Sequence, residues 1–256
     1  LWARLCGATT LGAVRDEEHV GHDPAHPAGP QAHDLEAVGR SAVETKPQFD
    51  FDCIVAGLQR RTWLALWRTR GPLLASALTY LASVGAGIIL ASAGVPFAVG
   101  QRDAIVGGAG TSAITQAENN GDHLRAALLD FGSNLLLGAV PTSVTGLTII
   151  GPFPIAAYRG WVGGIVSIDG RHHSRLAEAG PAVYYVVTLV LQLVGYILTM
   201  AAGVRVGLAA WRARNDESLR SWAGFRLPPA ALSDAGYLYL LAVPIFLAGS
   251  LWEFFA

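Results

Sequence analysis

The chain has 256 residues, of which 52% are hydrophobic and 14% are charged, and its formal net charge is −1. Soluble domains usually carry about a quarter charged residues, so this composition indicates an integral membrane protein. The net charge also argues against nucleic acid as a partner, because proteins usually hold it on a basic face. We therefore predict an all-α polytopic membrane protein with about five transmembrane helices.

The first part of the chain, residues 1–50, begins with a short apolar stretch and continues as a polar arm rich in Pro and His. Such a segment cannot bury a core, so a flexible linker is expected. Metal binding is the alternative, but the prolines between the histidines break any helix that would align them. We predict neither a metal nor another cofactor. The histidines concerned are His19, His22, His26 and His33.

Residues 51–71 mix tryptophan with arginine directly before a long apolar run. Trp63 and Trp67 are four residues apart and share one face of a helix, which is typical of a segment at the membrane interface. The remaining residues, 72–256, are predicted to form the transmembrane helical domain. Its first crossing is expected over residues 73–99.

Residues 100–123 are polar and predict an exposed loop with one short helix over 112–119. The apolar stretch 128–166 that follows is long enough to cross a bilayer of about 30 Å twice. Pro141 interrupts the first of these helices, and the Gly-Pro-rich run 151–154 predicts the turn between them. The second helix is short, so we predict a central hairpin that contains a broken or re-entrant segment.

Two further crossings are predicted at residues 182–210 and 237–255. Arginine bias places the N-terminus in the cytoplasm, because cytoplasmic flanks carry the excess of basic residues. The protein is thus expected in the cell membrane as a multi-pass protein with its C-terminus outside. The arginines predicted to be cytoplasmic are Arg60, Arg61, Arg68, Arg70, Arg212, Arg214, Arg220 and Arg226, against Arg102, Arg125, Arg171 and Arg175 on the opposite side.

Charged groups inside the predicted crossings are the candidates for function, because they are costly in hydrocarbon. Two interpretations are open for Asp130 and Arg159: they pair across the hairpin as part of a site, or they have a structural role in which they brace two helices or each side chain snorkels to an interface. Catalytic roles are assigned only if the protein is an enzyme, and then to Asp130, Arg159 and Glu253. Other polar candidates inside the membrane are Asn134, Gln192 and Arg205.

These residues lie in a pattern that resembles stage II sporulation protein M and its relatives, over about residues 68–256. The resemblance implies a multi-pass membrane protein that acts within a membrane complex. Arg159 stands where the family pattern has Asn, and Gln192 stands where it has an acid. The matching residues are Phe131, Asn134, Gly146, the run 159–163, the run Gly203-Val204-Arg205-Val206-Gly207, and Glu253.

Three functions are compatible with the sequence. The first is a scaffold that docks other membrane subunits, as a hetero- or homo-oligomer in the lipid bilayer, through seams of small residues. The second is a membrane subunit of a complex that epimerises or dehydrates a linaridin-type peptide substrate, with acid–base residues inside the membrane. The third is a transporter that binds its substrate at the Pro141 break. The glycines predicted to pack helices are Gly138, Gly160, Gly163, Gly203 and Gly207.

Overall fold

The computed structural model describes residues 51–174, 179–216, 218, 221, 222 and 225–255, so the arm 1–50 and its histidines lie outside the described residues. The chain divides into two units, Leu1–Arg60 and Arg61–Ala256. The regular secondary structure of the described residues is helical apart from one short strand pair and one isolated bridge. The helices are α1 Phe51–Arg68, α2 Arg70–Ser92, α3 Pro96–Ala109, α4 Ala113–Asn119, α5 His123–Gly132, α6 Val140–Thr145, α7 Pro152–Val166, α8 Ala179–Arg212 and α9 Pro229–Phe255.

Within the described residues, four helical segments are long and apolar enough to cross a membrane: Arg70–Ser92, His123–Thr148, Ala182–Arg212 and Pro229–Phe255. Apolar side chains remain exposed on them, as expected of surfaces that face lipid. Leu78 is 67% exposed and Leu137 is 75% exposed. The chain is therefore a multi-pass membrane protein by the length and composition of its helices.

The second of these segments changes its hydrogen-bonding pattern where the proline was expected to interrupt it. A π-helical stretch, Ser133–Ala139, connects α5 to α6, and Pro141 is the second residue of α6. Proline has no N–H to donate, so a local shift of register between helical turns is expected beside it. A short 3₁₀ turn, Gly146–Thr148, ends the segment, and Ile149 then adopts a left-handed φ of 67° before α7 begins.

The prediction of a loop over residues 100–123 is wrong for its first half, because α3 extends to Ala109. Gly94 ends α2 with a φ of 68°, and Pro96 starts the new helix, so the first crossing also ends earlier than predicted. Contacts with distant residues stabilise α3 despite its weak periodicity: Arg102 donates to the backbone oxygen of Asp169 at 2.5 Å. The short helix predicted over 112–119 is present as α4.

Glycines bring the helices of the core into direct backbone contact. A Cβ on Gly160 would lie 2.8 Å from the backbone oxygen of Tyr80, and one on Gly87 would lie 2.7 Å from that of Trp161. The contacts advance in the same direction along both helices, so α7 runs parallel to α2. Gly203 packs in the same way against the backbone of Ser143, which holds α8 against α6.

A strand pair lies between α8 and α9, and a hydrogen-bonded turn over residues 169–173 follows α7. Strand β1, Ser221–Trp222, pairs antiparallel with β2, Phe225–Arg226, before α9 begins. Between α7 and α8, Asp169 accepts hydrogen bonds from the backbone N–H groups of Arg171 and His173, each at 2.8 Å. These bonds, that of His173 first, hold the pKa of Asp169 below its usual value.

Candidate functional site

A network of polar side chains crosses the middle of the helical bundle. It begins at Asp130 on α5, whose carboxylate accepts hydrogen bonds from Asn134 Nδ2 at 2.9 Å and from Ser250 Oγ at 2.7 Å. Asn134 lies one helical turn after Asp130, so the two side chains share a face. Ser250 lies on α9 and connects the network to a second membrane-crossing segment.

Tyr196 of α8 extends the network to Arg159 of α7. Its hydroxyl donates to Asn134 Oδ1 at 2.6 Å and accepts a hydrogen bond from the Arg159 guanidinium at 2.5 Å. The guanidinium carbon also lies 4.4 Å from the centroid of the Tyr196 ring, a cation–π geometry. Arg159 is thus held from two directions by a single neutral side chain.

The expected direct ion pair between Asp130 and Arg159 does not form, so that expectation is corrected. In the described part of the chain, the ion pairs join Arg68 to Asp234, Arg102 to Asp103 and Arg205 to Asp234. The two expected partners are instead connected through Asn134 and Tyr196. The physical reason is that Tyr196, on a third helix, lies where the pairing was expected.

A glycine makes room for this arrangement. A Cβ on Gly138 would lie 2.6 Å from the hydroxyl of Tyr196 and 2.8 Å from the Nη2 atom of Arg159. Real Cβ atoms almost never approach other atoms so closely, so any larger residue would displace the tyrosine or the arginine. Gly138 therefore leaves the space that the Tyr196 hydroxyl and the Arg159 guanidinium occupy.

Arg159 lines a cavity of about 680 Å³ between α7 and α8. The exposed Tyr158 lines the same cavity, so the cavity reaches the surface of the bundle. Its volume is within the range of small-molecule sites. Asp130 and Pro141 are not part of its lining. The polar side chains that line it are Tyr80, Asn134, Tyr158, Arg159, Tyr184, Tyr185, Thr188, Gln192, Tyr196 and Glu253.

The cavity has one cationic and one acidic pole. Glu253 Oε2 accepts a hydrogen bond from Gln192 Nε2 at 3.0 Å, and the hydroxyl of Tyr184 donates to the backbone oxygen of Glu253. Gln192 precedes Tyr196 by one helical turn, about 6 Å along the axis of α8. The carboxyl group of Glu253 and the guanidinium of Arg159 therefore line the same cavity, and their partners on α8 are one helical turn apart.

Among the residues that the structure describes, the hydroxyl of Tyr80 has no hydrogen-bond partner. The residue is 2% exposed, its ring stacks on that of Tyr196 at 6.2 Å between centroids, and its oxygen is buried without a hydrogen bond. Buried polar atoms are nearly always paired, so such an atom needs an explanation. Because Tyr80 lines the cavity, a molecule bound in the cavity is a candidate partner for this hydroxyl.

Arg205, another candidate from the sequence, lies in a different cluster. Asp234 of α9 accepts hydrogen bonds from Arg205 Nη2 at 3.1 Å and Nε at 3.2 Å, and Arg68 Nη1 lies 3.4 Å from its other oxygen. Asp234 is 4% exposed. This cluster joins α8 and α9 and is separate from the lining of the cavity.

The predicted glycines take different positions. Gly160, Gly203 and Gly207 lie where two helix backbones meet, and Gly138 lies against Arg159. At Gly163 the nearest atom to an added Cβ is the side-chain end of Leu189 at 3.2 Å, so that contact is looser. Within the described ranges, no group of three or more His, Cys, Asp or Glu residues is placed to hold a metal ion.

Sequence reasoning missed Tyr80, Tyr196, Ser250 and Asp234. Tyrosine counts as apolar in hydropathy patterns, so the two phenols were treated as ordinary crossing residues. One signal was present for Tyr196, because it follows Gln192 by one helical turn and so lies on a face that already carries a polar residue.

No protein-family model, no curated protein and no solved structure matches this chain.

Proposed function

We propose that this chain is an integral membrane subunit that recognises a polar group of a membrane-embedded substrate or partner in the cavity between α7 and α8. The observation that carries the proposal is the guanidinium of Arg159, which faces this cavity and is held by Tyr196 without an acidic partner among the described residues. Charges inside a membrane are rare and usually mark a functional path or site.

The resemblance to stage II sporulation protein M implies a docking role, and we propose that docking takes place at the cavity and not at the small-residue seams. The small-residue seams that suggested docking are used inside the chain, where Gly87 packs on α7 and Gly203 packs on α6. Partner recognition is therefore assigned to the cavity. Because Pro141 is not part of its lining, a transporter with its site at that break is not proposed.

The test is photo-crosslinking in native membranes. A photoreactive amino acid at Leu189, which lines the cavity, should form one defined adduct that mass spectrometry identifies. The same group at Leu137, which is 75% exposed and outside the lining, should label bulk lipid only. Equal labelling patterns at the two positions would count against a specific guest in the cavity.

We also propose that α7 crosses the membrane as a fifth transmembrane segment. This helix has 15 residues and a length of about 22 Å, which is less than the bilayer core. Its parallel course beside α2 supports a crossing, and its short length supports a broken or re-entrant hairpin with the segment before it. With a cytoplasmic N-terminus, five crossings place the C-terminus outside, and a reporter enzyme fused after Phe255 distinguishes that outcome from a cytoplasmic one.

A second candidate function is the membrane subunit of a peptide-modifying complex of the linaridin type. The specific observation in its favour is that Glu253 and Arg159 line the same cavity. A carboxylate there is placed to exchange a proton at a peptide α-carbon, with the guanidinium near the adjoining carbonyl. If Glu253→Gln left the activity of the reconstituted complex unchanged, this candidate would fail.

A further inference from the structure

We propose that the cavity binds the anionic oxygens of a single-chain amphiphile, a carboxylate or a phosphate monoester, at Arg159 and Tyr80. This inference rests on the proposed function, because it names the ligand class for the same cavity. Among the described residues it has three supports: an arginine without an acidic partner, a buried hydroxyl without a hydrogen-bond partner, and aliphatic side chains along part of the cavity lining.

Arg159 has more hydrogen-bond donors than its described contacts use. A guanidinium carries five N–H groups in a planar fork that fits the oxygens of a carboxylate or a phosphate. The described contacts of Arg159 use that fork once, on the hydroxyl of Tyr196. No ion pair of the described residues includes Arg159. An anion in the cavity would supply the missing charge and accept the remaining donors.

Tyr80 adds a second donor beside the first. Its ring stacks on Tyr196, the residue that holds Arg159, so the hydroxyl and the guanidinium belong to one end of the cavity. The oxygen is buried and unpaired among the described residues. An anionic oxygen between the two groups would accept hydrogen bonds from both, whereas an apolar guest would leave the Tyr80 hydroxyl without a partner and the remaining donors of Arg159 unused.

The aliphatic part of the lining favours an amphiphile over a soluble anion. Val162 and Val166 of α7 and Leu189 and Leu193 of α8 line part of the cavity, and Tyr158, at 57% exposed, marks its opening at the surface of the bundle. A volume of about 680 Å³ accommodates one acyl chain but not a transmembrane helix. The carboxyl group of Glu253 at the other pole already accepts a hydrogen bond from Gln192, so the guanidinium of Arg159 is the group on the lining that attracts an anion.

The experiment measures equilibrium binding of three radiolabelled probes to the purified full chain in dodecyl maltoside. Oleate supplies a carboxylate, oleoyl lysophosphatidic acid supplies a phosphate monoester, and oleyl alcohol is the neutral control with a matching chain. We expect at least one of the two anions to bind at least tenfold more tightly than the alcohol. Binding of oleate alone identifies a carboxylate, and binding of the lysophospholipid alone identifies a phosphate.

Variants then locate the anion. Arg159→Gln is expected to weaken binding at least tenfold and Arg159→Lys less, because lysine keeps the charge but not the fork. Tyr80→Phe, which keeps the ring, is expected to weaken binding at least threefold. Arg125→Gln, at an exposed arginine outside the lining, is the matched control and should bind as the parent chain does. If Arg159→Gln does not elute as a monodisperse protein, Tyr80→Phe decides alone.

The inference is overturned if oleyl alcohol binds as tightly as both anions, or if Tyr80→Phe and Arg159→Gln bind as the parent chain does. A specific crosslink at Leu189 in a chain that binds neither anion would leave the proposed function standing and remove only this ligand class. The absence of any specific crosslink at Leu189 would remove the proposed function itself.

Discussion

Two arginines inside the helical bundle, Arg205 and Arg159, are held in opposite ways. Arg205 donates two hydrogen bonds to Asp234, whose side chain is 5% exposed. Arg159 donates to a tyrosine hydroxyl and lies over its ring, and it faces a cavity. A charged side chain in the helical bundle can thus be paired with an acid of the same chain, as Arg205 is, or be held by a neutral side chain on the lining of a cavity, as Arg159 is.

The largest expected effect comes from breaking the paired cluster. Asp234→Ala leaves Arg205 and Arg68 without their acid, and removal of one partner from a buried pair costs about 3–5 kcal/mol. We expect a large fall in the thermal unfolding midpoint in mild detergent. Glu118→Ala, at an exposed residue of α4, is the control and should change stability by less than about 0.5 kcal/mol. Equal midpoints for the two variants would contradict the role given to Asp234.

The next largest effect is expected when a close contact between two helix backbones is overpacked. Gly203→Ala places a methyl group against the backbone of Ser143, and overpacking of this kind costs about 1–3 kcal/mol. In contrast, Gly85→Ala in α2 meets no atom within 4 Å and should stabilise the helix by up to about 1 kcal/mol. Unfolding midpoints that move in the same direction for both would refute the close-contact argument.

A smaller effect is expected within the central network. Ser250→Ala removes one of the two described hydrogen bonds to Asp130, and we expect a loss of about 1–2 kcal/mol. Ser92→Ala, which removes an exposed bond of α2 to its own backbone, is the matched control. Thermal unfolding of the two variants measures the difference, and a larger loss for Ser92→Ala would argue against the network.

The smallest effect is one of pH on the loop between α7 and α8. The pKa of Asp169 is lowered in the folded protein, chiefly by the backbone N–H of His173. The loop is therefore fully stabilised above the ordinary carboxyl pKa of about 3.9 and loses this contribution as the pH falls through the lower folded value. Hydrogen exchange at residues 169–173 should show this loosening below pH 4 in the parent chain, and Asp169→Asn should abolish the dependence. A loop that loosens as the pH rises would contradict the sign.

Much of the fold was predictable because long apolar runs determine it. The crossing predicted at 182–210 corresponds to Ala179–Arg212, whose ends carry polar or charged neighbours. The crossing predicted at 237–255 begins instead at Pro229. The residues just before 237 follow an arginine-rich stretch and were predicted as part of the same polar loop, whereas Asp234 among them is buried against Arg205. A hydropathy pattern cannot show that a charge has a partner on another helix.

The candidate site was predictable only in part. The shared face of Asp130 and Asn134 follows from helical spacing, and the structure connects them by a hydrogen bond. The link to Arg159 depends on Tyr196, which lies 62 residues from Asn134 in the chain. Helical spacing relates residues within one helix only, so the tyrosine that connects the two predicted groups required the packing of α8 against both.

The most direct test of the account compares Arg159→Gln with Arg205→Gln in one experiment. Each variant is measured for its thermal unfolding midpoint in mild detergent and for the specific photo-crosslink at Leu189 in native membranes. We predict that Arg205→Gln lowers the midpoint strongly, since it leaves Asp234 buried with a single, more distant arginine. Arg159→Gln should keep the midpoint close to that of the parent chain and lose the crosslink. An Arg159→Gln variant that unfolds as readily as Arg205→Gln, or that keeps the crosslink, would contradict the account.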